Sequence, residues 1–388
     1  MPYIDRALTP DVERAARAFS AVLLTGPRRS GKTTLLRALR PNAEYHLLED
    51  PDVVARFRAD PRGFLAGLRL PVILDEVQNV PEIFNYVRAR IDAEPRRRGQ
   101  WFLTGSQEAP LMRGVTESMA GRAAVLHLWP LSVTETSKVS LYRGGFPEVI
   151  ARPSVADLWL RSYVQSYLER DVRAVTNVRD LSTFRRFVSL LASLTGQMLN
   201  KTSLAAPLGV SVPTITDWLS VLEVTGQILL VPPYFRNFGK RLVKTPKLYF
   251  VDSGLACHLL GIESARALER SPFLGAIFEG FVASEIAKQQ MNHGGRPEIY
   301  YFRDHQGLEV DFVVPHRSEL VLIEAKASRT PVPQMANALV RLRAAMTPSR
   351  ATAVLVHRTV ANSPDTTALQ PGVRALSLSQ LLAMLIRT

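Results

Sequence analysis

Residues 21–25 (AVLLT) form a short apolar run with no polar break before its last position, and the stretch that follows the next loop sets Leu35, Leu36 and Leu39 on one side. That pairing predicts a strand covered on both faces, then an amphipathic helix. LPVILDEVQNV (70–80) and GQWFLTGSQ (99–107) are further apolar strands that end on polar residues. Residues 155–175 (VADLWLRSYVQSYLERDVRAV) carry Leu158, Tyr163, Val164 and Tyr167 at three and four spacing, which predicts an amphipathic helix lying as a lid on the preceding core.

The middle of the chain changes rhythm. Residues 181–198 read as a helix ending at Gly196; 201–234 read as a short helix, a turn at Gly209, a helix capped by Ser211 with Pro213 in its first turn, and a strand. A basic ribbon, RNFGKRLVKTPKLYFVD (236–252), completes the order of a winged helix-turn-helix. In the last third a helix at 273–290 has Phe278, Phe281, Val282 and Ile286 on its apolar face and Glu279 at the edge of that face. Strands at 298–304, 308–315 and 320–328, a helix at 333–346 and a strand at 352–359 make the order αβββαβ. Two of those strands carry charge where a buried strand should be apolar: Glu309 and Asp311 in one, Glu324 and Lys326 in the other. Such groups are costly to bury unless paired, hydrogen-bonded or bound to a metal.

A chain of 388 residues exceeds one hydrophobic core, and the pattern divides it at 1–150, 151–180, 181–260 and 261–388. No stretch has the ~18 apolar residues of a membrane helix, and residues 1–10 lack a signal-peptide core, so a cytoplasmic protein without a membrane partner is expected. One cysteine, Cys257, excludes internal disulfides and multi-cysteine zinc motifs. The formal charge of +13 suits a polyanion such as DNA, although 40 arginines against 8 lysines also fit a bias in genome composition. Residues 151–260 are the most basic part, with 13 bases to 7 acids.

The chemistry is clearest at Gly26-Pro27-Arg28-Arg29-Ser30-Gly31-Lys32-Thr33, followed by Thr34. Set between strand and helix, this G-x-x-x-x-G-K-T pattern wraps phosphates with backbone N–H groups; Lys32 reaches the β and γ phosphates and Thr33 holds Mg²⁺. Arg28 and Arg29 either touch phosphate or face solvent. Asp75 at the next strand tip is placed to bind the same Mg²⁺ and Glu76 to polarise the attacking water, which argues for ATP hydrolysis beyond binding. Thr104 or Ser106, ending the third strand, is either a γ-phosphate sensor or a helix cap.

GPRRSGKT, VILDEV and WFLTGS, followed by AGRAAVLHLWPLSVTE (120–135) and YRGGFPEV (142–149), resemble the prokaryotic AAA+ superfamily ATPases that carry a family-specific C-terminal domain. The resemblance implies an α/β protein with a P-loop AAA+ domain, ATP and Mg²⁺ as cofactors, and a homo-oligomer, a hexameric ring being one form. It also implies an arginine supplied by a neighbouring subunit, for which Arg122 and Arg170 are candidates beside the alternative of surface ion pairs. The ribbon bases Arg236, Lys240, Arg241, Lys244 and Lys247 suit a phosphate backbone. The helix before them has Thr214 and Thr216 but also Asp217, so sequence-independent DNA contact and a purely structural winged domain both stand, with operator reading least supported.

The αβββαβ order resembles the core of the PD-(D/E)XK nuclease-like superfamily of restriction endonucleases and Holliday-junction resolvases. Under that resemblance Glu279, Asp311 and Glu324 are metal ligands, with Glu309 on the same strand face as an alternative to Asp311, and Lys326 serves the attacking water. An ordinary cross-strand ion pair is the alternative for E-x-K. Three functions follow: an ATPase remodelling or translocating duplex or branched DNA, a nucleotide-controlled switch with a non-cleaving C-terminal module, and an ATP-gated nuclease.

Overall fold

The structure is a computed structural model that describes residues 3–105, 118–168, 181–234, 245–346, 350–359 and 367–386. Strands β1 (Ala21–Thr25), β2 (Glu44–Leu47), β3 (Val72–Asp75), β4 (Trp101–Thr104) and β5 (Ala123–His127) form a parallel sheet in the order β2-β3-β4-β1-β5. Alternation along β1 explains how both faces are covered. Ala21 and Leu23 pack with Leu74, Phe84 and Leu103 on one side, while Val22 and Leu24 pack with Val12, Leu35 and Phe102 on the other. Because β4 lies between β1 and β3, the tips of all three meet at one end of the sheet.

The expected middle elements are present. Helices Leu181–Ser193 and Lys201–Ala205, a turn with Gly209 at φ +66°, and helix Val212–Val224 with Ser211 capping Thr214 N–H precede β6 (Ile228–Val231). β6 pairs antiparallel with β7 (Lys247–Phe250). The helix Ala156–Tyr163 does not lie on the ATPase sheet. Leu160 and Tyr163 enter the middle cluster with Phe146, Phe187 and Trp218, and Leu158 is 62% exposed. Aromatic contacts decide this, since Phe146, Trp159 and Tyr163 stack within about 5 Å of one another.

In the last part β8 (Tyr300–Arg303), β9 (Glu309–His316), β10 (Glu319–Lys326), β11 (Ala351–His357), β12 (Thr367–Gln370) and β13 (Val373–Leu376) form a mixed sheet ordered β12-β13-β11-β10-β9-β8. The order αβββαβ stands, and the sheet is extended by β12 and β13 and followed by helix Leu378–Leu385. Helix Leu274–Met291 packs through Phe278, Val282 and Ile286 on the face of Phe312, Val314 and Ile323. Leu339 and Leu342, of helix Asn337–Ala345, cover Val313, Leu320 and Leu322 on the other. No helix among the described residues is long and apolar enough to cross a membrane.

The two sheets are joined through residues 129–135. The carbonyl of Leu131 accepts a hydrogen bond from Lys288 Nζ (3.1 Å), and Val133 N–H donates to Glu285 Oε2 (2.8 Å). Glu285 and Lys288, both buried, pair at 2.7 Å on helix Leu274–Met291. Gly145 is needed beside them, because a Cβ there would lie 2.0 Å from the Leu131 carbonyl oxygen. Removing one member of a buried pair strands the other charge. Lys288→Met should therefore cost about 3–5 kcal/mol of stability in urea denaturation of the full chain, whereas the exposed Arg161→Ala should change it by less than about 0.5 kcal/mol.

Candidate functional sites

Loop 26–31 leaves β1 and turns into helix Lys32–Leu39. Gly26 has φ +133°, and a Cβ there would stand 2.2 Å from the Leu128 carbonyl oxygen, so the loop can take this path only with glycine. Lys32 is buried and its Nζ donates to the Gly26 and Pro27 carbonyls at 3.0 and 2.8 Å. Arg28, Arg29, Gly31, Lys32, Thr33 and Thr34 line a cleft of about 420 Å³ together with Tyr45, Asp75 and Glu76. Ser30 turns away from solvent: its Oγ is buried without a partner, and its carbonyl accepts from Arg6 (2.9 Å).

Asp75 is the hub of the site. Thr33 Oγ1 donates to both its oxygens (3.0 and 2.9 Å), Tyr45 OH donates to Oδ2 (2.7 Å), and Thr104 Oγ1 donates to Oδ1. Burial, and then the bond to Asp75, push the Tyr45 phenol far above its usual range. Glu76 follows in the left-handed conformation (φ +57°), with its N–H donated to Thr104 Oγ1 (3.2 Å) and its carboxylate held by Gln78. Arg28 reaches to 3.9 Å from the same carboxylate. Thr104 is fully buried, and its hydroxyl bonds Asp75 and the Glu76 N–H at the strand tip. Ser106, the alternative, lies outside the described residues.

Arg122 precedes β5 at the end of the sheet opposite the P-loop and pairs with Asp92 through two bonds (2.6 and 3.0 Å). It takes no part in its own chain's cleft. Arg170, Arg236, Lys240, Arg241 and Lys244 lie outside the described residues. Sequence reasoning missed Arg6, which donates to Trp129 O (2.7 Å) and Glu135 Oε1 (2.8 Å) as well as to the P-loop. It also missed Tyr45, since both act across the fold from positions with no motif of their own.

The second constellation gathers Glu279, Asp311, Glu324 and Lys326 as the element order implied. Phe312 pairs with Ile323 across β9 and β10, which brings Asp311 beside Glu324; Asp311 Oδ2 accepts from Ala325 N–H (2.9 Å) and Glu324 Oε1 pairs with Lys326 (2.6 Å). Glu324 is 7% exposed, and its Oε2 is buried without a hydrogen-bond partner. Lys247 overturns its assignment as a DNA contact. It is 3% exposed, and its Nζ lies 2.6 Å from Glu309 Oε1, 3.0 Å from Glu279 Oε1 and 3.8 Å from Asp311 Oδ1. The cause is its register on β7, opposite Val231, which points it at the carboxylates instead of solvent. Tyr249, two residues along, donates to the same Glu279 oxygen. A base inside the apolar run KLYFVD is a sequence signal of the same kind as Asp311. Among the described residues no three His, Cys, Asp or Glu side chains are grouped as an ion site.

Burial, and then Asp311, raise Glu279 to about 7 and Glu324 to about 8; Lys247 and Lys326 oppose the shift in turn. Burial lowers Lys326, but Glu324 and Asp311 more than offset it, so this ammonium stays charged. Since both carboxylates sit above the ordinary 4.5, the folded chain holds more protons than the unfolded one between about pH 4.5 and 8. Stability present below that window is lost as pH rises through it. Thermal denaturation in EDTA from pH 5 to 8.5 should show this decline, and Glu324→Gln should reduce its slope by about 1.4 kcal/mol per pH unit near pH 6 to 7, in the middle of that window.

Residues 18–137 match an AAA domain family, 134–266 a domain of unknown function (DUF8612) and 274–381 another (DUF4143). The chain is 33% identical over 327 residues to Uncharacterized protein Rv2008c of Mycobacterium tuberculosis and to Uncharacterized protein Mb2031c of Mycobacterium bovis, covering 82% of this chain and 73% of each relative. Among solved structures it is similar to the Walker-type ATPase PABY2304 of Pyrococcus abyssi (15% identity, 66% of this chain and 96% of that one, TM-score 0.43). Another is a point variant of RuvB from Thermotoga maritima (17% identity, 58% and 87%, TM-score 0.30). With a P-loop, Asp75 and Glu76 converging inside the matched AAA region, the chain belongs to the family of the two mycobacterial proteins, and its first part is a P-loop ATPase domain of the AAA type.

Proposed function

We propose that this ATPase acts on DNA, remodelling or translocating duplex or branched DNA held by its middle and C-terminal parts, and that the C-terminal constellation hydrolyses phosphodiesters. The observation that carries the reading is the meeting of Asp311, Glu324 and Lys326 in an αβββαβ order, with one Glu324 oxygen buried and unpartnered. An orphaned hard oxygen beside a second carboxylate fits a Mg²⁺ or Mn²⁺ ligand. At the first site Thr33 and Asp75 would hold Mg²⁺, Lys32 would bind the β and γ phosphates, and Glu76 would orient the attacking water. The bound ion there supplies charge neutralisation on the phosphates. At the second, Glu324 and Asp311, with Glu279, would hold the ion, and Lys326, charged throughout, would steady negative charge as it builds on the phosphoryl oxygens.

Assembly into a ring belongs to the same proposal, with a neighbour's arginine completing the ATP site. Arg122 suits that role by place, because it lies on the sheet end away from its own cleft and is partly exposed. The seat of Lys247 among the carboxylates favours the second reading, a nucleotide-controlled switch whose C-terminal part binds without cleaving.

Lys32→Ala should weaken ATP binding at least tenfold in nucleotide titrations. Glu76→Gln should bind ATP normally yet hydrolyse it about 10²–10³-fold more slowly. ATPase and strand-scission rates with linear and four-way-junction DNA in Mg²⁺ separate the readings. Stimulation by DNA supports the leading one, scission abolished by Glu324→Ala adds the nuclease step, and ATP turnover indifferent to DNA with no scission leaves the switch.

A further inference from the structure

Lys247 comes from the middle hairpin, whereas every carboxylate it touches belongs to the C-terminal part. Its ammonium lies among three of them, from helix Leu274–Met291 and from β9, and 5.6 Å from the centre of the Tyr301 ring. An ammonium and a divalent ion cannot share this space. Two positive charges held this close in a partly buried site repel strongly, and a divalent ion doubles the repulsion. Charge balance points the same way. Four carboxylates, Glu279, Glu309, Asp311 and Glu324, contact two other cations, Arg303 (3.1 Å from Glu309) and Lys326. With Lys247 withdrawn and all four carboxylates ionised, the form a bound cation favours, the formal sum is −2, the charge one divalent ion neutralises; with Lys247 seated it is −1. The oxygen that would complete the coordination, Glu324 Oε2, is the one left without a donor while Lys247 is seated.

We propose that Lys247 is the resident cation of the C-terminal site, and that it and a divalent metal ion occupy the carboxylates in alternation. The proposal rests on the reading of Glu279, Asp311 and Glu324 as ion ligands. It adds that the middle hairpin decides whether they are available. The ion must displace an ammonium from three carboxylates, so the seated form binds metal weakly. Lys247→Met removes the competitor and leaves the ligands.

Mn²⁺ binding is measured calorimetrically, without nucleotide, on the full chain carrying Asp75→Asn to silence the P-loop ion site. Adding Lys247→Met should tighten Mn²⁺ binding at least tenfold, Lys247→Arg should not, and Glu324→Gln on top of Lys247→Met should abolish the gain. Unchanged or weaker binding by Lys247→Met overturns the proposal. Should that variant fold poorly, the wild-type chain provides a second measurement. Acylation of Lys247, quantified by mass spectrometry, should rise several-fold when Mn²⁺ is added, and labelling indifferent to Mn²⁺ overturns the alternation. Strand scission on the same proteins keeps the two ideas apart. Tighter Mn²⁺ binding without scission supports the alternation and rejects hydrolysis, while scission by a wild type whose Mn²⁺ affinity is unmoved by Lys247→Met rejects the alternation alone.

Discussion

The backbone of residues 129–135 must have its polar groups satisfied where two domains close over it, and buried charges from both sides do this. Arg6 takes the Trp129 carbonyl, Lys288 the Leu131 carbonyl, Glu135 the Ser132 N–H and Glu285 the Val133 N–H. Each of these groups would cost free energy if left bare in a dry interface. Arg6 also holds the Ser30 carbonyl of the P-loop, and the helix bearing Glu285 and Lys288 bears Glu279 as well. One short segment thus fixes the nucleotide cleft and the carboxylate site to a common frame. A change of P-loop geometry has a direct physical neighbour in the helix of the second site.

The two sites use charge differently. At Asp75 the partners are hydroxyl donors, Thr33, Tyr45 and Thr104, which orient its carboxylate oxygens at the edge of the cleft. At the C-terminal site the carboxylates meet lysines instead, and burial is deep enough to raise Glu279 and Glu324 into the neutral pH range. Exposure does not separate them, since Asp75 is 4% and Glu324 7% exposed; the partners do, because β7 brings Lys247 to the carboxylates of the second site.

Much of this was legible in the chain before folding. GPRRSGKT works within a single strand-loop-helix unit, so its glycine positions and the place of Lys32 follow from local sequence. Period-two alternation put Glu324 beside Lys326, and the order of elements put Asp311 next to them. Thr104 shows where such reasoning thins: ending a strand at the right place suggested a ligand contact, but only the neighbouring strand tip reveals that Asp75 takes its hydroxyl.

The sequence alone determined the parts whose chemistry is local: the phosphate loop, the acidic strand tip, the capped middle helices, and the charged strands of the last sheet. Tertiary structure decided which charges meet. Lys247 reads as one base among five in a ribbon, yet its register on β7 buries it against Glu279 and Glu309, which lie far along the chain on another domain's helix and strand. Arg6 likewise reaches Glu135 across 129 residues. Residue spacing encodes neighbours along a helix or strand, but not partners across domains, because burial and register assign those only after the domains have packed.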